Sequence, residues 1–254
     1  MAFLPVHAAG TYCRQDKAGV DACFSDYCVV SYTPTLGALL ERDSYPAAGE
    51  MKMLLAAAPR PFRSLPLPAA EKEMDVLSKI VPRRFRMPTA VAHDSSSYAR
   101  TADDVLHLLP DATILHLACH GYQDPVKPLE SGFLMEDKMI KVADLVQLNL
   151  PNARLAFLSA CETAQGDMER PDEALHLAAT MLFTGFKSVV ATMWSMNDVD
   201  GPVVAETVYR ELFAGDGDEL DFDVVPYALD AAIRKLREQG LEISRWAPYI
   251  HVGV

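Results

Sequence analysis

Ile114-Leu-His-Leu-Ala-Cys119, with His120-Gly121-Tyr122 directly behind it, is the stretch on which the fold turns. Its nearly unbroken apolar character fits a strand buried on both faces, as in a parallel sheet covered by helices. Two further runs share this character, Leu155-Ala-Phe-Leu-Ser159 and Ser188-Val-Val-Ala-Thr-Met-Trp194. Amphipathic segments separate the three. From about residue 112 onward the chain therefore predicts an α/β domain, its central sheet mostly parallel, with helices on both faces.

The helices carry their own punctuation. Thr101 caps one that stops at Pro110, and Asp172 precedes another with Leu175, Ala178, Met181 and Leu182 on one face and Gly185 at its end. Asp200 and Pro202 open a third, burying Val204, Thr207, Val208 and Leu212 before Gly215. Asp223 and Pro226 open a fourth, burying Val225, Leu229, Ile233 and Leu236 before Gly240. Ser131 to Glu136 and Met139 to Val142 read as a small hairpin beside or over the sheet edge. The first hundred residues are less regular: a strand at Cys28 to Tyr32, a Pro-rich loop from Arg60 to Pro68, and a helix packing Ala70, Met74 and Leu77. A further strand near Thr89 to His93 leads into the polar loop Asp94 to Tyr98.

The 254 residues, 50% of them apolar, suffice for one sizeable core. No apolar run reaches the ~18 residues of a membrane span, and Met1-Ala-Phe-Leu-Pro5 lacks the flanks of a secretory signal. Five cysteines without paired spacing fit reduced thiols, so the expected location is the cytoplasm and no metal or cofactor is expected. A net charge of -12 and the absence of a basic, aromatic-laced stripe exclude direct nucleic-acid binding, and no membrane partner is expected.

In open α/β sheets the functional crevice lies beyond the carboxyl ends of the strands. Cys119-His120-Gly121 and Ser159-Ala160-Cys161-Glu162 fall there, putting an imidazole and a thiol on one rim. A thiol reacts as its thiolate, and histidine is the side chain that most readily takes its proton near neutrality. His120 and Cys161 are therefore the candidate catalytic pair, with the backbone N–H groups of Gly121 and Cys161 as oxyanion donors. His116 and Cys119 lie inside the strand and are assigned to packing. Phosphate-loop, nucleophile-elbow, zincin and dinucleotide-turn motifs are absent.

An ordered set of motifs resembles the CHAT domain, a caspase-like and separase-like family often fused to tetratricopeptide repeats. Its carriers are Leu4-Pro-Val-His-Ala-Ala-Gly10, Ser31-Tyr-Thr-Pro34, Leu117-Ala-Cys-His-Gly121, Leu158-Ser-Ala-Cys-Glu-Thr-Ala164, Val189-Val-Ala-Thr-Met-Trp194 with Asp198, and Tyr209. The resemblance implies a caspase-like three-layer sandwich, with the family's histidine at His120 and its nucleophile at Cys161. It also implies that Trp194, Ser195, Met196, Asn197 and Asp198 bind an extended peptide, Asp198 facing a basic side chain. Asp198 as a local turn or cap is the competing reading, and Asp124 and Glu130 are rim acids or solvated loop charges. The family's motif here begins at Leu4, so the expectation is a single domain over residues 1–254 that lacks its N-terminal elements.

The implied function is a cysteine endopeptidase acting on a protein or peptide substrate, under a regulatory repeat or sensor domain placed upstream or in trans. A non-catalytic interaction module in a signalling complex is the alternative, and a latent protease that awaits a partner is a third reading.

Overall fold

A computed structural model describes residues 4–12, 22–35, 50–88, 98–124, 126–162, 174–215, 217 and 219–253; for residues 161, 162 and 174–176 it describes the backbone alone. The expected strand near residues 89–93, the loop at 94–97 and the Asp172 cap lie outside the described residues.

Near the start, β1 (Gly10–Thr11) and β2 (Ala22–Cys23) pair antiparallel, apart from the main sheet. The main sheet takes β3 (Ser31–Tyr32) and β4 (Met53–Ala57), after which come α1 (Pro68–Ile80) and α2 (Ala102–Leu108). The long strand β5 (Ile114–Tyr122) is followed by the hairpin β6 (Gly132–Leu134) and β7 (Met139–Lys141), then by α3 (Val142–Leu145). Alternation follows through β8 (Leu155–Glu162), α4 (Ala174–Thr184) and β9 (Ser188–Thr192). The helices α5 (Gly201–Leu212), α6 (Val225–Glu238) and α7 (Ile243–Trp246) lead to the last strand, β10 (Tyr249–Gly253).

The sheet runs β3-β10-β9-β8-β5-β6-β7, with β4 also on β5. The pairs β4–β5, β5–β8, β8–β9 and β3–β10 are parallel; β9–β10 and the hairpin pairs are antiparallel. The hairpin thus continues the sheet at its edge, β6 pairing with the last three residues of β5.

Alternate residues of each strand feed two cores. Ile114, Ala118 and Phe157 pack with Met74 and Leu77 of α1, Val208 of α5 and Leu229 of α6. Leu115, Leu117, Cys119 and Leu158 pack on the other side with Val105 of α2, Leu145 of α3 and Met181 of α4. These are the three layers expected, helices against both faces of a mostly parallel sheet. Among the described residues, no helix is long and apolar enough to cross a membrane.

The expected helix signals hold in part. Thr101 accepts from the Asp104 N–H at 3.1 Å as an N-cap, and Gly185 (φ 126) and Gly240 (φ 72) end their helices in conformations that favour glycine. Asp200 stands before α5 but makes no side-chain cap: its buried carboxylate takes the Arg245 guanidinium through two bonds, at 2.9 and 2.5 Å. A 3-10 turn precedes α6, and Asp221, rather than Asp223, caps that turn. Thr207 is only half-buried on α5; Tyr209, fully buried, holds that face instead. The strand expected from Cys28 shortens to two residues at the sheet edge.

Candidate active site

Both β5 and β8 run further than their apolar runs indicate, because the ladder between them continues to Gly121 and Glu162. His120, Gly121 and Cys161 are therefore the closing residues of the strands instead of the first residues after them. The register pairs His120 with Cys161 across adjacent parallel strands, which lie ~4.8 Å apart.

His120 is 6% exposed. Its Nε2 lies 2.9 Å from the carbonyl oxygen of Leu65, in the loop between β4 and α1. A carbonyl oxygen only accepts, so Nε2 carries the proton and Nδ1 keeps a lone pair. That Nδ1 is buried with no hydrogen-bond partner among the described residues. The ring is held by one nitrogen, through the Leu65 loop. Loop 58–67 is itself pinned at Ala58, whose N–H donates to Ala118 at 2.9 Å, at Phe62, bonded to Met135 at 2.8 Å, and at Leu67, bonded to Pro59 at 2.8 Å.

Beside the strand ends a small cavity opens between α1 and the turn after β9. Leu67, Ala70 and Met196 supply apolar wall, and Glu73, Ser159 and Asp198 supply its polar side chains. Among the described residues, the two charged ones on it are both carboxylates. Glu73 Oε2 accepts from the Ser159 hydroxyl at 2.9 Å. Its Oε1 is 3.3 Å from His116 Nε2, without an aligned hydrogen bond at either atom. His116 Nδ1 is 3.2 Å from the Tyr209 hydroxyl, and its ring stacks on Phe157 at 5.0 Å. Burial, with the Glu73 charge behind it, pushes the Tyr209 phenol well above its ordinary range.

Met196 and Asp198 of the expected peptide-binding segment line this cavity. Trp194 is half-buried, its indole N–H donating to the Ser244 carbonyl at 3.2 Å; Ser195 is exposed; Asn197 is exposed and its Oδ1 accepts from the Val199 N–H at 3.3 Å. Gly121 stands in register with Glu162 on β8 and Phe133 on β6. His116 and Cys119 are buried in the two cores, as expected, although His116 also belongs to the polar cluster around Glu73. The loop acids are locally engaged. Asp124 accepts from the Val126 and Lys127 N–H groups, both at 2.9 Å, which holds its carboxyl below the usual range, and Glu130 pairs with Lys141 at 2.6 Å.

Glu73 and Leu65 were not among the expected residues. Leu65 acts through its backbone, which no residue type announces. Glu73 had a signal, since it falls at i+3 in the stripe Ala70, Met74, Leu77 and so on the buried face of its helix.

No curated protein matches the sequence. Two of the solved structures that resemble the fold do so at low similarity. One is the Arg-specific cysteine proteinase gingipain R, with 12% identity and a TM-score of 0.44 over 79% of this chain and 46% of that one. The other is the complex of Porphyromonas gingivalis RgpB pro- and mature domains, with 11% identity and a TM-score of 0.45 over 80% and 47%. The chain thus spans about half the length of the solved chains it matches. The sequence match is of another order, because the CHAT domain pattern runs through residues 1–254. This chain belongs to the CHAT domain family.

Proposed function

We propose that the chain is a caspase-like cysteine endopeptidase domain in which Cys161 is the nucleophile and His120 the acid and base. The observation that carries the reading is His120, paired in register with Cys161 while the Leu65 carbonyl fixes Nε2 and leaves Nδ1 buried as a base. In this mechanism Nδ1 takes the thiol proton and the thiolate attacks the peptide carbonyl. The oxyanion is held by the backbone N–H of Cys161, since Gly121 lies within a strand paired on both sides. His120, now protonated, gives its proton to the departing amine as the C–N bond breaks, leaving a thioester. Water, deprotonated by the same ring, adds to the thioester and restores the thiol.

The carboxylate of Asp198, beside apolar wall, supports a substrate with a basic side chain next to the scissile bond. The segment from Trp194 to Asp198 is the proposed strand-pairing partner of an extended peptide. Incubation of the purified chain with a peptide library tests the reading. Cys161→Ala is expected to abolish cleavage and His120→Ala to reduce it by about 10²- to 10⁴-fold, with Asp198→Asn raising KM for peptides with Lys or Arg at that position. Folded protein that neither cleaves nor reacts with a thiol probe contradicts it and favours an interaction module.

A further inference from the structure

Glu73 is 2% exposed, a carboxylate on the buried face of α1, and the mechanism above makes no use of it as acid or base. Burying an ionisable side chain is costly, and well-packed apolar residues in place of a buried ionic pair are often at least as stable. Stability alone is therefore a weak reason for a carboxylate here.

Four elements meet at this one group. Ser159, which donates to Oε2 at 2.9 Å, is on β8 two residues before Cys161. His116, 3.3 Å from Oε1, is on β5 four residues before His120. Gly201, the first residue of α5, comes so near that a Cβ on it would stand 2.9 Å from Ser159 Oγ and 3.0 Å from Glu73 Oε2. The helix that carries Glu73 follows directly on the loop whose Leu65 carbonyl holds His120.

The end of β8 has need of such a tie. Its registered pairing with β9 covers Leu155 to Phe157 only, whereas its pairing with β5 continues to Glu162. The residues that lead to Cys161 are thus laddered on one side; on the other the Thr192 hydroxyl donates to the Ala160 carbonyl at 3.4 Å, and the Ser159 bond to Glu73 secures them to α1.

We infer that Glu73 is a positioning residue: through Ser159 and His116 it holds the end of β8, the end of β5 and the Leu65 loop in the one arrangement that lets His120 and Cys161 exchange a proton. The catalytic consequence rests on the dyad reading; the mechanical tie does not. The titratable groups around Glu73 are His116 from β5, Tyr209 from α5 and Asp198 across the cavity.

The test compares Glu73→Ala, Glu73→Gln and Gly201→Ala in the full 254-residue chain, each checked for folding by its melting curve and near-ultraviolet circular dichroism. Two readouts are taken: the rate of Cys161 alkylation by iodoacetamide against pH, mapped by mass spectrometry, and NMR exchange of the Ala160 and Cys161 amides and of the His120 ring N–H. Glu73→Ala is expected to slow alkylation at acidic pH by about tenfold or more, its profile moving up toward the ~8.5 of an ordinary thiol, and to speed exchange at all three protons. Glu73→Gln, which still accepts from Ser159, restores both. Gly201→Ala keeps every polar partner but wedges a methyl against Ser159 and Glu73, and it is expected to copy Glu73→Ala. Folded Glu73→Ala with the parent's profile and exchange overturns the inference. If Glu73→Ala fails to fold, Gly201→Ala decides in the same terms. If the parent thiol is itself ordinary, the dyad reading falls. Exchange then decides the tie alone, faster exchange in the variants supporting it and unchanged exchange overturning it.

Discussion

In the proposed dyad His120 is the base: the Leu65 carbonyl occupies its Nε2, and its Nδ1 is buried with no hydrogen-bond partner among the described residues. The Leu65 side chain is 75% exposed, so the contribution lies in the backbone alone. Leu65→Ala is therefore expected to change peptide cleavage by less than about twofold and stability by less than about 0.5 kcal/mol. Tyr209→Phe removes the hydroxyl that meets His116 in a fully buried site, and denaturant unfolding should show a loss of about 1–2 kcal/mol. At this scale the thiol and imidazole stand out in the sequence as candidates because chemistry restricts which residue types can do such work. Leu65 does not, since any residue has a carbonyl. Glu73 lies within an apolar stripe, but a charged residue on an amphipathic helix usually faces water, so the pattern does not single it out.

Element by element, legibility followed burial. Strands β5, β8 and β9 announce themselves as apolar runs buried on both faces. Met53-Leu-Leu-Ala-Ala57 does not, being composed of good helix formers, and its strand state is imposed by pairing along β5 from Ile114 to Ala118. Tyr249–Gly253 is broken by a histidine, and among the described residues the burial of His251 is compensated by hydroxyls on neighbouring strands, Ser31 at 2.8 Å and Ser188 at 2.9 Å. No local pattern predicts that arrangement. The link from α4 to β9 was legible through Gly185, whose φ of 126 excludes ordinary side chains and whose Cβ would sit 2.6 Å from the Leu150 carbonyl oxygen. Gly185→Ala is expected to lower stability by about 2–3 kcal/mol, measured by chemical unfolding, while leaving the strand ends intact.

Across the whole molecule, the sheet edge at β3 and β10 gives the fold a pH limit remote from the strand ends. Burial depresses His251 to about 4 from the ordinary 6.5, and burial lowers His7 as well, against the Ala247 carbonyl contact that opposes it. The sign follows from proton uptake. Below pH 6.5 the unfolded chain binds a proton at residue 251 that the folded chain refuses until about pH 4, so stability is whole above that window and erodes as pH falls through it. The full loss from His251 is on the order of 3 kcal/mol. His251→Gln removes the titration, and its stability should fall less steeply than the parent's between those two limits. The three layers serve the chemistry by fixing two parallel strands in register, and on that register the proposed dyad depends. The direct measurement is the alkylation rate of Cys161 against pH in the parent chain and in His120→Ala. The account predicts a parent thiol that reacts well below the ordinary midpoint of about 8.5 and a variant whose profile returns to it; identical profiles in the two proteins would contradict it.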